Sequence, residues 1–210
     1  MVWQDLYREF ITLFVVIDPI GTIPVFLYAS KSVKPELRAK FALRAVIIAT
    51  CVLLGFLVVG QLLLETLGLR LGSFQVAGGI ILFLFALDMI FGQSKPASEI
   101  EMAEHSDLSG AVFPLAMPSI ASPGAILAIV ILTDNHRNSI AEQAVTAGVL
   151  LSILAITFVL MLVATRIQKR IGDTGASIIS RIMGLVLATV AIDAIINGLV
   201  SLDLAALFGA

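Results

Sequence analysis

The sequence predicts an all-α integral membrane protein. Its six transmembrane helices form two inverted three-helix repeats, with the first and fourth spans broken by proline. Three observations predict this: apolar runs long enough to cross a bilayer, matching punctuation in the two halves of the chain, and an odd number of spans in each half.

The chain has 210 residues, of which 59% are hydrophobic and 13% charged, and its mean hydropathy is +1.06. A soluble domain carries roughly 25% charged residues, and so few charges cannot cover so much apolar surface. A cytosolic enzyme and a disordered segment are excluded on that ground. A net charge of −2 with no basic stripe excludes a nucleic-acid binder. The lone Cys51 lies in an apolar run, so neither a disulfide framework within the chain nor a thiolate metal cluster is expected.

Residues 45–64, 108–133 and 143–165 contain no charge, and each exceeds the length a helix needs to cross a core of about 30 Å. Three more runs, 10–30, 71–94 and 182–202, are interrupted by one acid each: Asp18, Asp88 and Asp193. The predicted spans are 10–30, 42–64, 73–92, 111–132, 143–165 and 178–200. Continuous apolar blocks exclude a β-barrel, whose strands alternate. Asp5 and Glu9 stand where a signal peptide would be basic, so the first block is expected to be retained.

Orientation follows from the basic residues. Lys31, Lys34, Arg38, Lys40, Arg44, Lys95, Arg166, Lys169, Arg170 and Arg181 fall on one side, and Arg8, Arg70 and Arg137 on the other. Ten against three places loops one, three and five in the cytoplasm and both termini outside. A multi-pass protein of the plasma membrane is expected, an inner-membrane one if the source is a Gram-negative bacterium. Trp3 and Tyr7 read as interfacial anchors, and Arg181 as a residue snorkelling to the headgroups.

The chain forms a single transmembrane domain, 1–210, with repeat one at about 1–92, a linker at 93–110 and repeat two at about 111–210. The halves share their punctuation. Pro19 and Pro24 match Pro118 and Pro123 at an offset of 99, and Gly79, Ala86 and Asp88 match Gly184, Ala191 and Asp193 at an offset of 105. The second half has therefore gained about six residues, most simply between Arg166 and Ile179. Three spans per half make the second half enter from the opposite side, which inverts the repeat.

Each proline lacks an N–H and clashes with the carbonyl four residues earlier. Pro19 and Pro24 are thus expected to free the carbonyls of Val15 and Ile20, and Pro118 and Pro123 those of Pro114 and Ser119. Asp18 before Pro19 and Ser122 before Pro123 suit helix N-caps, with Gly21 and Gly124 loosening the backbone. A half-helix starting there aims its positive end at the bilayer middle, where it suits a carboxylate. The candidate binding residues are Asp18, Pro19, Gly21, Thr22, Pro24, Pro118, Ser119, Ser122, Pro123 and Gly124. Two readings stand: a solute site at the broken spans, or prolines that only kink two packed helices.

Asp18 is the deepest acid, and its counterpart in the second half is the uncharged Met117. It either caps the kink or serves a substrate ammonium or a coupling proton. Asp88, Asp193 and Asn197 are candidate coupling or supporting residues. Ala144, Gly148 and Ser152 form a small-residue stripe on span five, expected to pack within the bundle or to pair two copies. His105 and His136 fall in loops on opposite faces, so no metal site is expected, and no nucleophile–base set suggests an enzyme. No cofactor is expected.

Phe14–Phe26, with its Asp-Pro-Ile-Gly-Thr-Ile-Pro core, Val76–Met89 and Ala111–Ile126 resemble the hallmark stretches of the MarC family of six-span membrane proteins. Arg181–Ala188 and Asn197-Gly198 are similar to that family's last span. The resemblance covers essentially the whole chain. Two positions depart from it: Ser122 stands where a Gly-like residue is expected, and Asp193 where an uncharged amide is. The resemblance implies a transporter of small neutral amino acids such as glycine and alanine, driven by the proton gradient. A small zwitterionic solute and the lipid bilayer are the implied partners. The alternative is a non-transport membrane assembly or stress-response protein of the same fold.

Overall fold

A computed structural model describes residues 3–31, 33–92, 108–134 and 138–202. The order is α1 (Trp3–Ile17), α2 (Thr22–Ala29), α3 (Arg38–Thr66), α4 (Leu71–Phe91), α5 (Val112–Ile120) and α6 (Pro123–Leu132). They are followed by α7 (Ile140–Gly172) and α8 (Ser177–Ser201). Every regular element among the described residues is helical. Most of the predicted linker 93–110 and both histidines lie outside the described residues.

Five helical stretches are long and apolar enough to cross a membrane, and the bent pair α5–α6 brings the number to six when the pair is counted as one span. The predicted spans are found, with helix running a few residues beyond several of them because the backbone stays hydrogen-bonded into the interfacial turns. The two broken spans differ in kind. The first runs as one passage from Asp5 to Ala29 through its interruption, whereas α5 and α6 are bent by 47°.

Helix starts follow local chemistry. Ser139 caps α7 in a reciprocal box: its hydroxyl accepts from the Glu142 N–H at 3.4 Å, and the Glu142 carboxylate accepts from the Ser139 N–H at 2.9 Å. Gly172 breaks the chain between α7 and α8 with φ 66° and ψ 178°, a backbone that favours glycine. That break falls between Arg166 and Ile179, the stretch to which the change of offset between the halves pointed.

The bundle is closed by small residues at its crossings. Ala42, Ala45 and Ala49 line one face of α3 with no exposure. α4 packs along α8 in antiparallel register. A side chain at Gly79 would meet Ile195 Cγ1 at 2.7 Å and the Ala191 carbonyl at 3.0 Å. One at Gly184 would meet Ile90 Cγ1 at 3.0 Å and the Ala86 carbonyl at 3.1 Å. The contact is reciprocal, because Gly79, Ala86 and Ile90 are the counterparts of Gly184, Ala191 and Ile195. Large apolar side chains such as Phe91, Val58 and Leu185 point outward, as lipid contact requires.

The small-residue stripe of span five is not used inside the bundle. Ala144, Gly148 and Ser152 are exposed, and a Cβ at Gly148 meets nothing within 4 Å. Gly148 and Ser152 instead border an open groove of about 810 Å³ with Trp3, Tyr7 and Phe10. Thr146, Val149 and Leu150 are the residues of this segment that turn inward, and Thr146 donates to Glu9 at 3.0 Å.

Candidate functional site

The first break is built by Asp18. Its φ of 50° turns the chain out of α1, a conformation Asp adopts more readily than most residues. Its Oδ1 accepts from the Gly21 N–H at 2.9 Å, and its carbonyl accepts from both the N–H and the hydroxyl of Thr22, at 3.1 and 3.0 Å. The turn 18–21 is thus closed on itself, and Asp18, Pro19, Gly21 and Thr22 are all buried. The carbonyl expected to be freed by Pro24, that of Ile20, is taken by the Ile23 N–H at 3.1 Å. A tight turn has replaced the lost helical bond.

The second break is wider. Phe113 and Met117, each before a proline, have extended angles (φ −134° and −133°) inside α5, as the residue before proline prefers. The Ala116 carbonyl accepts from the Ala121 N–H at 2.9 Å. Ser122 then caps α6, accepting from the Ala125 N–H at 3.1 Å, with Pro123 in the first turn. Ser119, Ser122 and Gly124 are buried, Pro118 is half-buried and Pro123 is exposed.

The two breaks meet. The Ser122 hydroxyl donates to the Val16 carbonyl at 3.3 Å, a buried bond between residues 106 positions apart. A Cβ at Gly124 would lie 3.1 Å from Val16 Cγ1 and would press on the Leu82 side chain, so the glycine keeps α6 close to both α1 and α4 here. α1 packs on α6 and α2 on α5, so the interrupted spans pass each other in antiparallel fashion.

Beside this crossing a cleft of about 410 Å³ opens between α1, α4, α6 and α8. Its apolar walls include Val16, Leu82 and Leu127, and its polar groups are Thr12, Gln75, Thr189, Asp193 and Asn197. Thr189, Asp193 and Asn197 recur every four residues and so share one face of α8. Asn197 Nδ2 donates to Asp193 Oδ2 at 3.0 Å. Gly124 is the one residue of the expected binding set that reaches this cleft. Asp18 does not line it, and Asp88, exposed near the end of α4, lies away from it beside Gly92.

Sequence reasoning missed Thr12, Gln75 and Thr189, although the four-residue polar spacing on span six was a usable signal. It also missed a buried tether at the end of α6. There the Gln61 amide donates to Asp134 Oδ1 at 3.0 Å and to Glu65 Oε1 at 3.2 Å, and Thr133 donates to the Ile129 carbonyl at 2.7 Å. Only a glutamine inside a charge-free run hinted at it. Among the described residues no cluster of three His, Cys, Asp or Glu could hold a metal ion.

Comparison with known proteins covers almost the whole chain. Residues 3–202 match the family described as MarC family integral membrane protein. A UPF0056 membrane protein of Methanocaldococcus jannaschii is 36% identical over 199 residues, covering 93% of this chain and 96% of that one. The UPF0056 membrane protein YvbG of Bacillus subtilis is 32% identical, covering 95% and 96%. The UPF0056 inner membrane protein YhgN of Escherichia coli is 30% identical, covering 93% and 96%. No solved structure matches. With its hallmark stretches forming the two breaks and their crossing, the chain belongs to the MarC family of integral membrane proteins.

Proposed function

We propose that this protein is a secondary transporter of small neutral amino acids, glycine- or alanine-like, coupled to the proton gradient. The observation that carries the reading is the crossing of two interrupted spans at Val16 and Ser122. Irregular backbone at membrane depth persists only where protein or a wet cavity satisfies it. Discontinuous helices meeting at a repeat interface are the usual construction of solute sites in secondary transporters. The reciprocal packing of Gly79 and Gly184 supports the inverted-repeat reading, since a pseudo-two-fold axis in the membrane plane generates such pairs.

Asp18 is assigned the coupling proton. Asp18 is 3% exposed, sits at the break and does not line the cleft, and an intramembrane acid away from the solute space is a candidate for proton coupling. The plasma membrane is the proposed location, with both termini outside.

Reconstituted protein tests the reading. Labelled alanine should exchange by counterflow and accumulate when a proton gradient is imposed. Asp18→Asn keeps the oxygen that accepts from Gly21, so this variant should fold and exchange but lose gradient-driven accumulation. A well-folded wild-type protein without alanine counterflow would end the transport assignment. Accumulation by Asp18→Asn would leave Asp18 as a cap alone.

A further inference from the structure

The α8 stripe places an ionisable group where the bilayer would penalise it. Asp193 lies inside the apolar stretch that qualifies α8 as a candidate membrane span, eight residues before its end (Ser201), which is about 12 Å along the helix axis at 1.5 Å per residue. Its carboxylate is exposed on the wall of the cleft. A carboxylate facing hydrocarbon inside a span is strongly disfavoured, so such groups face water-filled or occupied cavities. Gln75 faces the same space from α4. It is 6% exposed, lines the cleft and has no hydrogen bond to any described residue. An amide that opens onto a cleft with no protein partner is free to bind a ligand or water there. The cleft volume of about 410 Å³ falls in the range of small-molecule sites.

We infer that this cleft is the solute chamber: Asp193, oriented by Asn197, receives the ammonium of a small amino acid, and the Gln75 amide donates to its carboxylate. The inference deepens the transport reading and rests on it for the choice of solute. The chemistry is complementary. The Asn197 amide occupies Oδ2 of Asp193, leaving Oδ1 to accept from an ammonium. Thr12 and Thr189 supply further oxygens. The apolar wall of Leu82, Leu127 and Val190 accommodates an aliphatic side chain and rejects a second charge. Asp18 and Asp193 then divide the work, one holding the proton and the other the solute.

Binding and transport are measured separately. Detergent-solubilised protein is titrated calorimetrically with L-alanine, with ethylamine, which lacks the carboxylate, and with propionate, which lacks the ammonium. L-alanine should bind best, ethylamine more weakly and propionate not at all. Loss of a charge-assisted hydrogen bond predicts at least a tenfold weaker alanine affinity in Asp193→Asn. Gln75→Leu should weaken alanine but leave ethylamine unchanged.

A second readout guards against misfolded variants. In a Cys51→Ser background carrying Ala194→Cys, L-alanine should slow modification of position 194 by a cationic thiol reagent at least severalfold. Unchanged alanine affinity in Asp193→Asn, absence of protection at position 194, or no binding of alanine by the wild-type protein each overturns the inference. Asp193-dependent binding without counterflow would remove the transport reading and leave the binding site standing.

Discussion

Gly21 has ordinary helical angles, φ −68° and ψ −17°, yet a methyl group there would run into the Asp18 carboxylate, with its Cγ 2.7 Å away. Space, not backbone conformation, requires the glycine. Gly21→Ala should push the carboxylate off the Gly21 N–H and leave buried polar groups poorly paired, lowering stability by about 1–3 kcal/mol. Thermal melting in detergent measures it, and a wild-type midpoint would refute the close approach. Sequence reading reached Asp18 and Gly21 through their neighbouring prolines. It could not decide between cap and ligand, because that depends on which side of the break the carboxylate faces. The bond to Gly21 is local, but the position of Asp18 outside the cleft is a tertiary fact.

Among elements, the α4–α8 pair depends most on small residues. Gly184→Ala would set a Cβ against Met89 Cβ at 2.9 Å and the Ala86 carbonyl at 3.1 Å. The backbone atom cannot step aside, so a loss of about 1–3 kcal/mol is expected. Gly148→Ala on the open face of α7 should stay within about 0.5 kcal/mol of wild type. Equal melting shifts for the two variants would contradict the packing. The glycine pairing of these helices was readable as a repeat but not as a contact, since periodicity does not say which faces touch. The breaks were readable because proline acts on its own backbone. Their unequal shape, a closed turn against a 47° bend, was not, because matching proline spacing does not fix the local backbone: Asp18 closes one break on itself, while Phe113 and Met117 are extended in the other.

For the whole molecule, the apolar passages were legible because bilayer thickness fixes their length. The cleft was not legible, since it is assembled from four helices far apart in sequence. Orientation rests on the basic residues alone and is open to direct measurement. In a Cys51→Ser background, Glu36→Cys and Arg70→Cys place thiols at exposed sites flanking the opposite ends of α3. A membrane-impermeant maleimide added outside intact cells should modify position 70 and spare position 36. The reverse pattern would invert the topology.

The bond from Ser122 to Val16 bears on how freely the molecule changes shape. A single neutral hydrogen bond of 3.3 Å contributes about 1 kcal/mol, equivalent to about a fivefold bias between two populations. Reversing a 1:99 ratio of conformers takes about 10⁴-fold. This bond therefore trims the balance between conformers without locking either, and the larger bias falls to the helix packing around the crossing and to whatever occupies the cleft.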